Sequence, residues 1–66
     1  MKPMSSKDVV RLLEDNGWVF ERAKGSHHQF RHPEKSHVVT VPHPKKELGV
    51  GLVKAILRQA GIGETR

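Results

Sequence analysis

The hydrophobic pattern of this chain changes period at Asn16-Gly17 and is broken again at Pro42-His43-Pro44, which sets a run of short strands between two helical segments. Before the first break, Val9, Leu12 and Leu13 recur at helical spacing with Val10 beside them, while Lys7, Arg11 and Glu14 face water. Ser5 is placed as the N-cap, Asp8 completes a variant capping box three residues on, and Met4 can staple against Val9. Gly17 stops the helix, because glycine accepts a left-handed backbone at low steric cost.

From Trp18 to Val41 the composition is that of strands. Trp18 to Lys24 is aromatic and β-branched, and the tight Gly25-Ser26 step follows. His27 to His32 returns with Phe30 as its one strong apolar anchor, which makes a hairpin. Pro33-Glu34-Lys35-Ser36 is a turn, and His37 to Val41 is the strongest β run in the chain. The prolines at 42 and 44 take the chain out of the sheet into a basic loop. Glu47 to Ala60 then reads as the second helix, with Leu52, Val53, Ile56, Leu57 and Ala60 on one face. Gly49 or Gly51 marks its start and Gly61 its stop, and Ile62 to Arg66 is expected to be loose. The expected fold is α+β in the order α-β-β-β-α, a three-stranded antiparallel sheet with both helices packed on one face.

With 66 residues, of which 35% are apolar, the chain has room for a single domain, residues 1–66, and for no large buried cavity. A catalytic site has to lie at the surface. The absence of cysteine removes disulfides, thiolate chemistry and cysteine-based zinc sites, and fits a reducing compartment. No apolar run reaches the roughly 18–20 residues of a membrane helix, and Met1 to Ser5 lacks the apolar stretch of a signal peptide. A cytoplasmic protein without a membrane partner is expected. Twelve Lys and Arg against seven Asp and Glu give a net charge of +5, which suits a polyanion such as nucleic acid.

The segment Lys24-Gly25-Ser26-His27-His28 places a lysine and two imidazoles around a glycine turn. Glycine permits close approach, the turn exposes amide N–H groups, and lysine adds charge, a combination that suits phosphate. An imidazole beside a phosphate can also exchange a proton near neutral pH. RNA carries its own nucleophile in the 2′-hydroxyl, so one histidine with nearby cations would suffice, without a metal or a carboxylate pair. Taken alone, however, a His-His pair is more often structural or solvated than catalytic. Strand alternation groups His28 with Phe30 and His32, so if Phe30 faces the helices His28 lies at the rim of the core.

A zinc site built from His27, His28 and His32 is disfavoured, because adjacent strand residues point to opposite faces and nothing completes the set. No cofactor is expected. Lys45 and Lys46 precede the second helix, whose N-terminus favours anions, and with Lys24 they could straddle a phosphate backbone. Arg22, Arg31 and Lys54 are weaker candidates. Trp18 and Phe20 could stack bases, although core packing is the better use of both. His37 and His43 read as solvated turn residues without a role.

Four ordered stretches carry a family resemblance: Gly17-Trp18; Gly25-Ser26-His27-His28-Gln29-Phe30-Arg31-His32-Pro33; Val39-Thr40-Val41-Pro42-His43-Pro44-Lys45-Lys46-Glu47-Leu48; and Ile56-Leu57-Arg58-Gln59-Ala60-Gly61. Together they resemble the HicA toxins of type II toxin-antitoxin systems, over about Ser5 to Ile62. The resemblance implies a double-stranded-RNA-binding-domain-like fold, an mRNA interferase that cuts RNA without the ribosome, and a HicB-type antitoxin as partner. It implies that His28, the second His of the Gly-Ser-His-His element, is catalytic, with Gly25 and Ser26 shaping its turn. Many relatives carry Pro-Gly-Thr where this chain has Val50-Gly51-Leu52, which turns Leu52 toward a partner surface in place of a hydroxyl that caps or contacts RNA. The rival readings are a non-catalytic RNA-binding module of the same fold and a domain that binds an acidic protein.

Overall fold

A computed structural model describes residues 2–63. Helix α1 (Ser6–Asp15) leads into strands β1 (Val19–Lys24), β2 (His27–Arg31) and β3 (Val38–Pro42), and helix α2 (Val50–Gln59) follows. The strands form one antiparallel sheet in the order β1-β2-β3. The α+β order expected from the sequence is therefore the order found.

Both helices end in the same way. The Gly17 and Trp18 N–H groups donate to Glu14 and Leu13 carbonyls, and those of Gly61 and Ile62 to Arg58 and Leu57. Gly17 (φ +91°) and Gly61 (φ +73°) occupy the left-handed position that such Schellman ends require. The start of α1 is capped as expected, with the Asp8 N–H donating to Ser5 Oγ at 3.1 Å. A cap of this kind stabilises a helix by about 1 kcal/mol.

The start of α2 falls at Gly49, one of the two glycines expected to mark it, so Glu47 and Leu48 stay outside the helix. Leu48 does not join the helix because its backbone pairs with that of Met4 in an antiparallel bridge (2.6 and 3.4 Å), and extended Gly49 becomes the N-cap. Met4 thus closes on the chain before α2 and packs at the edge of the core. Strand β3 also runs one residue further than expected. Pro42 pairs with His27 and is tolerated because β3 is an edge strand. Of the expected loose tail, residues 64–66 lie outside the described residues.

Val9 and Leu13 of α1 and Val53, Ile56 and Leu57 of α2 meet Phe30, Val39 and Val41 on one face of the sheet, and Trp18, Leu48 and Ala60 complete the core. The helices cover the β3 side. Strand β1 is exposed along its whole length, and Phe20, on the same face as Phe30, remains 48% exposed. A bulge at Glu21, between Phe20 and Arg22, shifts the β1 register. The uncovered end of the helix-side face forms a cleft against α1.

Candidate active site

The chain's five histidines separate by environment. Two of them hold Trp18. The His32 ring lies 5.2 Å and the His37 ring 5.6 Å from the indole, whose Nε1–H donates to the Ala60 carbonyl at 3.3 Å. His32 accepts the Glu34 N–H at Nδ1, so its Nε2 carries the proton and donates to the Asn16 carbonyl at 3.1 Å. His37 Nε2 donates to the Gln59 carbonyl at 2.8 Å. His37 is exposed in the bend before β3, as expected of a solvated turn residue, but it also has a role, tying that bend to the end of α2.

His28 and His43 face each other. Pairing of His28 with Val41 and Ala23 places its side chain on the helix-covered face, two residues from buried Phe30 and just beyond the area that the helices seal. The ring is half-buried. It packs on Phe20 at 5.5 Å and meets His43 edge to face, with centroids 4.9 Å apart. An open cleft of about 290 Å³ is lined by both imidazoles with Val10, Glu14, Phe20 and Phe30. Phe20 is thus not a core residue as expected; it is a wall of this cleft.

Ser6 fixes His43. This buried hydroxyl lies 2.6 Å from His43 Nδ1, accepts the Lys45 N–H at 2.8 Å and donates to the Lys45 carbonyl at 3.0 Å. The Ser6 N–H donates to the same carbonyl at 3.0 Å. A second cleft lies beyond His43, lined by Ser5, Ser6, Lys7, Pro44, Lys45, Lys46 and His43 itself. The Lys45-Lys46 pair consequently stands at the start of α1 and not, as its position in sequence led us to expect, at the start of α2. His43 belongs to both clefts and is half-buried, which corrects its reading as a solvated residue.

The hairpin end is tied to this region through its backbone. Gly25 takes φ +61° with Ser26 at negative φ, as in a type II′ turn. The His43 N–H donates to the Ser26 carbonyl at 2.7 Å. Lys24 and His27, however, are partners in the β1–β2 register at the hairpin end and lie on the open face of the sheet, opposite His28. Arg22 and Gln29 share that face and are joined by a 2.9 Å hydrogen bond. Arg31 is ion-paired with Glu21. The hydrogen bond from Arg31 holds the Glu21 carboxyl below its usual range, and the same bond raises the guanidinium of Arg31.

The structure therefore brings His28, His43, Ser6, Lys45 and Lys46 into two adjoining clefts and leaves Lys24 and His27 on the other face. Ser6, Lys7, Glu14 and His43 were not singled out as site residues by sequence. For His43 a signal existed: carrying the β3 alternation of Val39 and Val41 one step past Pro42 puts residue 43 on the face of His28. Among the described residues, no group of three His, Cys, Asp or Glu side chains is placed to hold a metal ion.

No curated protein matches the chain. The profile of a protein family described as the HicA toxin of bacterial toxin-antitoxin matches residues 6–62, from the first residue of α1 to the Schellman end of α2. A match of that extent, on a chain with this element order, shows that the protein belongs to the HicA toxin family.

Proposed function

We propose that the protein is a metal-independent endoribonuclease, an mRNA interferase in which His28 carries the proton transfer at the RNA 2′-hydroxyl. The observation that carries the reading is the position of His28: half-buried beside the core, yet lining an open cleft next to a second cleft with three lysines. Phe20 and His43 pack against the ring, and the cleft admits a ribose. The cations beside it suit the phosphodiester on which the 2′-oxygen closes. Lys45 and Lys46 hold phosphates near the reacting centre. Lys24 and His27 engage the strand as it passes around the Gly25-Ser26 turn, whose backbone approaches it closely. The substrate is cytoplasmic mRNA, and a HicB-type antitoxin neutralises the toxin.

The test is cleavage of purified RNA by the wild type and by His28→Ala, with thermal unfolding of both. The alanine variant should lose about 10²–10⁴-fold in rate while unfolding cooperatively near the wild-type temperature. Chelator should leave wild-type cleavage unchanged. Full activity in His28→Ala would remove the assignment, and salt-dependent binding by the wild type without any scission would favour an RNA-binding module instead.

A further inference from the structure

The geometry points to His43 as a second catalytic residue, the acid that delivers a proton to the departing 5′-oxygen of the RNA. This inference rests on the endoribonuclease reading of His28 and adds the group that completes it.

The hydrogen bonds of Ser6 fix how His43 carries its protons. A serine hydroxyl has one hydrogen and two lone pairs. Ser6 Oγ has three partners: the Lys45 carbonyl, which can only accept; the Lys45 N–H, which can only donate; and His43 Nδ1. Because the hydroxyl hydrogen goes to the carbonyl, all three bonds are satisfied together only when His43 Nδ1 carries a hydrogen and donates it to Ser6. The opposite nitrogen, Nε2, makes no hydrogen bond among the described residues. Once protonated there, the ring has a single N–H left to give, while Ser6 holds its orientation. Being buried, Ser6 is not displaced by solvent.

The placement of the two rings supplies the rest. His28 and His43 stand 4.9 Å apart, edge to face, in one cleft. His43 also borders the cleft of Lys7, Lys45 and Lys46. The rings touch each other, so a phosphodiester lies across them at the mouth of the cleft they share, within reach of both. His28 removes the 2′-hydroxyl proton as the O2′–P bond forms, and the P–O5′ bond breaks as His43 Nε2–H transfers its proton to O5′. The products are a 2′,3′-cyclic phosphate and a free 5′-hydroxyl, and no other reactant is consumed.

The experiment uses two versions of an RNA oligonucleotide that the wild type cleaves at a mapped site: the ordinary one, and one with sulfur replacing O5′ at that site. A thiolate leaves without protonation, so only a missing acid is compensated by the sulfur. His43→Ala and His43→Asn should cleave the ordinary RNA about 10²-fold or more slowly and the sulfur RNA within about tenfold of the wild type. His28→Ala should be defective on both. The Asn amide can donate to Ser6 as Nδ1–H does, so His43→Asn decides the matter if the alanine variant fails to unfold cooperatively. His43 variants that cut the ordinary RNA at the wild-type rate, or that are equally slow on both substrates, overturn the assignment of His43 alone. A wild type that cuts no RNA, so that no site can be mapped, overturns the endoribonuclease reading and this inference with it.

Discussion

Gly17 is packed under the ring of His32 so closely that a Cβ on it would stand 2.8 Å from Nε2. The ring cannot swing aside freely, since the Asn16 carbonyl and the Glu34 N–H hold its two nitrogens. Gly17→Ala therefore meets both a contact and the strain of φ +91°, and should lower stability by about 1–3 kcal/mol. In a His32→Ala background the contact is gone and only the backbone penalty remains, so the same substitution should cost less. Denaturant unfolding of the four variants measures the coupling. Equal costs in both backgrounds would mean that His32 gives way and that backbone conformation alone demands glycine.

Phe20 and Phe30 pair across β1 and β2 but have different roles. Phe30 is 1% exposed and Phe20 48%. Phe30→Ala should cost roughly 3–5 kcal/mol of stability, as for other buried aromatics, whereas Phe20→Ala should cost much less. If Phe20 stacks a base in the His28 cleft, its loss should weaken RNA binding by about 1–3 kcal/mol and raise KM more than it lowers kcat. Unchanged KM with a large drop in melting temperature would return Phe20 to a packing role.

These contrasts explain how much of the molecule was legible in sequence. Ser5 as cap, Gly17 and Gly61 as stops and the Gly25-Ser26 hairpin were readable because each depends on a few neighbouring residues. The start of α2 was narrowed to Gly49 or Gly51, and the bridge between Leu48 and Met4 that sets it was not readable, because Met4 comes from the other end of the chain. Phe20 was misplaced because apolar spacing gives the face of a strand but not how far the helices extend over it. The catalytic proposal for His28 rests on a local motif, whereas Ser6 and His43 acquire their relation only when the loop after β3 folds back on the first turn of α1. The basic pair moved from one helix start to the other for the same reason.

The bond between Arg31 and Glu21 has a signature in acid. Glu21 has its pKa lowered chiefly by that hydrogen bond, so its contribution to stability is present above the ordinary glutamate range and is lost as pH falls through the lowered folded value. Arg31→Gln should return the Glu21 carboxyl to the ordinary range in a carbon-detected NMR titration and flatten the acid limb of stability against pH. Both side chains meet solvent, so stability near neutral pH should change little. A Glu21 titration that is the same with and without Arg31 would mean that the pair does not persist in solution.

The lysines can be sorted by counterion release, which registers phosphate contacts whatever the sequence of the RNA. Lys45 and Lys46 line the cleft that His43 borders, Lys24 lies on the opposite face at the hairpin end, and Lys35 sits in the turn at the far end of β2. In a His28→Ala background, which spares the RNA during titration, each lysine that meets a phosphate should reduce the slope of log K against log salt by about 0.7 when replaced by alanine. Lys45→Ala, Lys46→Ala and Lys24→Ala should each show that reduction, and Lys35→Ala should not. A normal slope in Lys24→Ala alone would confine the strand to the helix side of the sheet, whereas normal slopes in both Lys45→Ala and Lys46→Ala would mean that RNA does not enter the cleft beside His43.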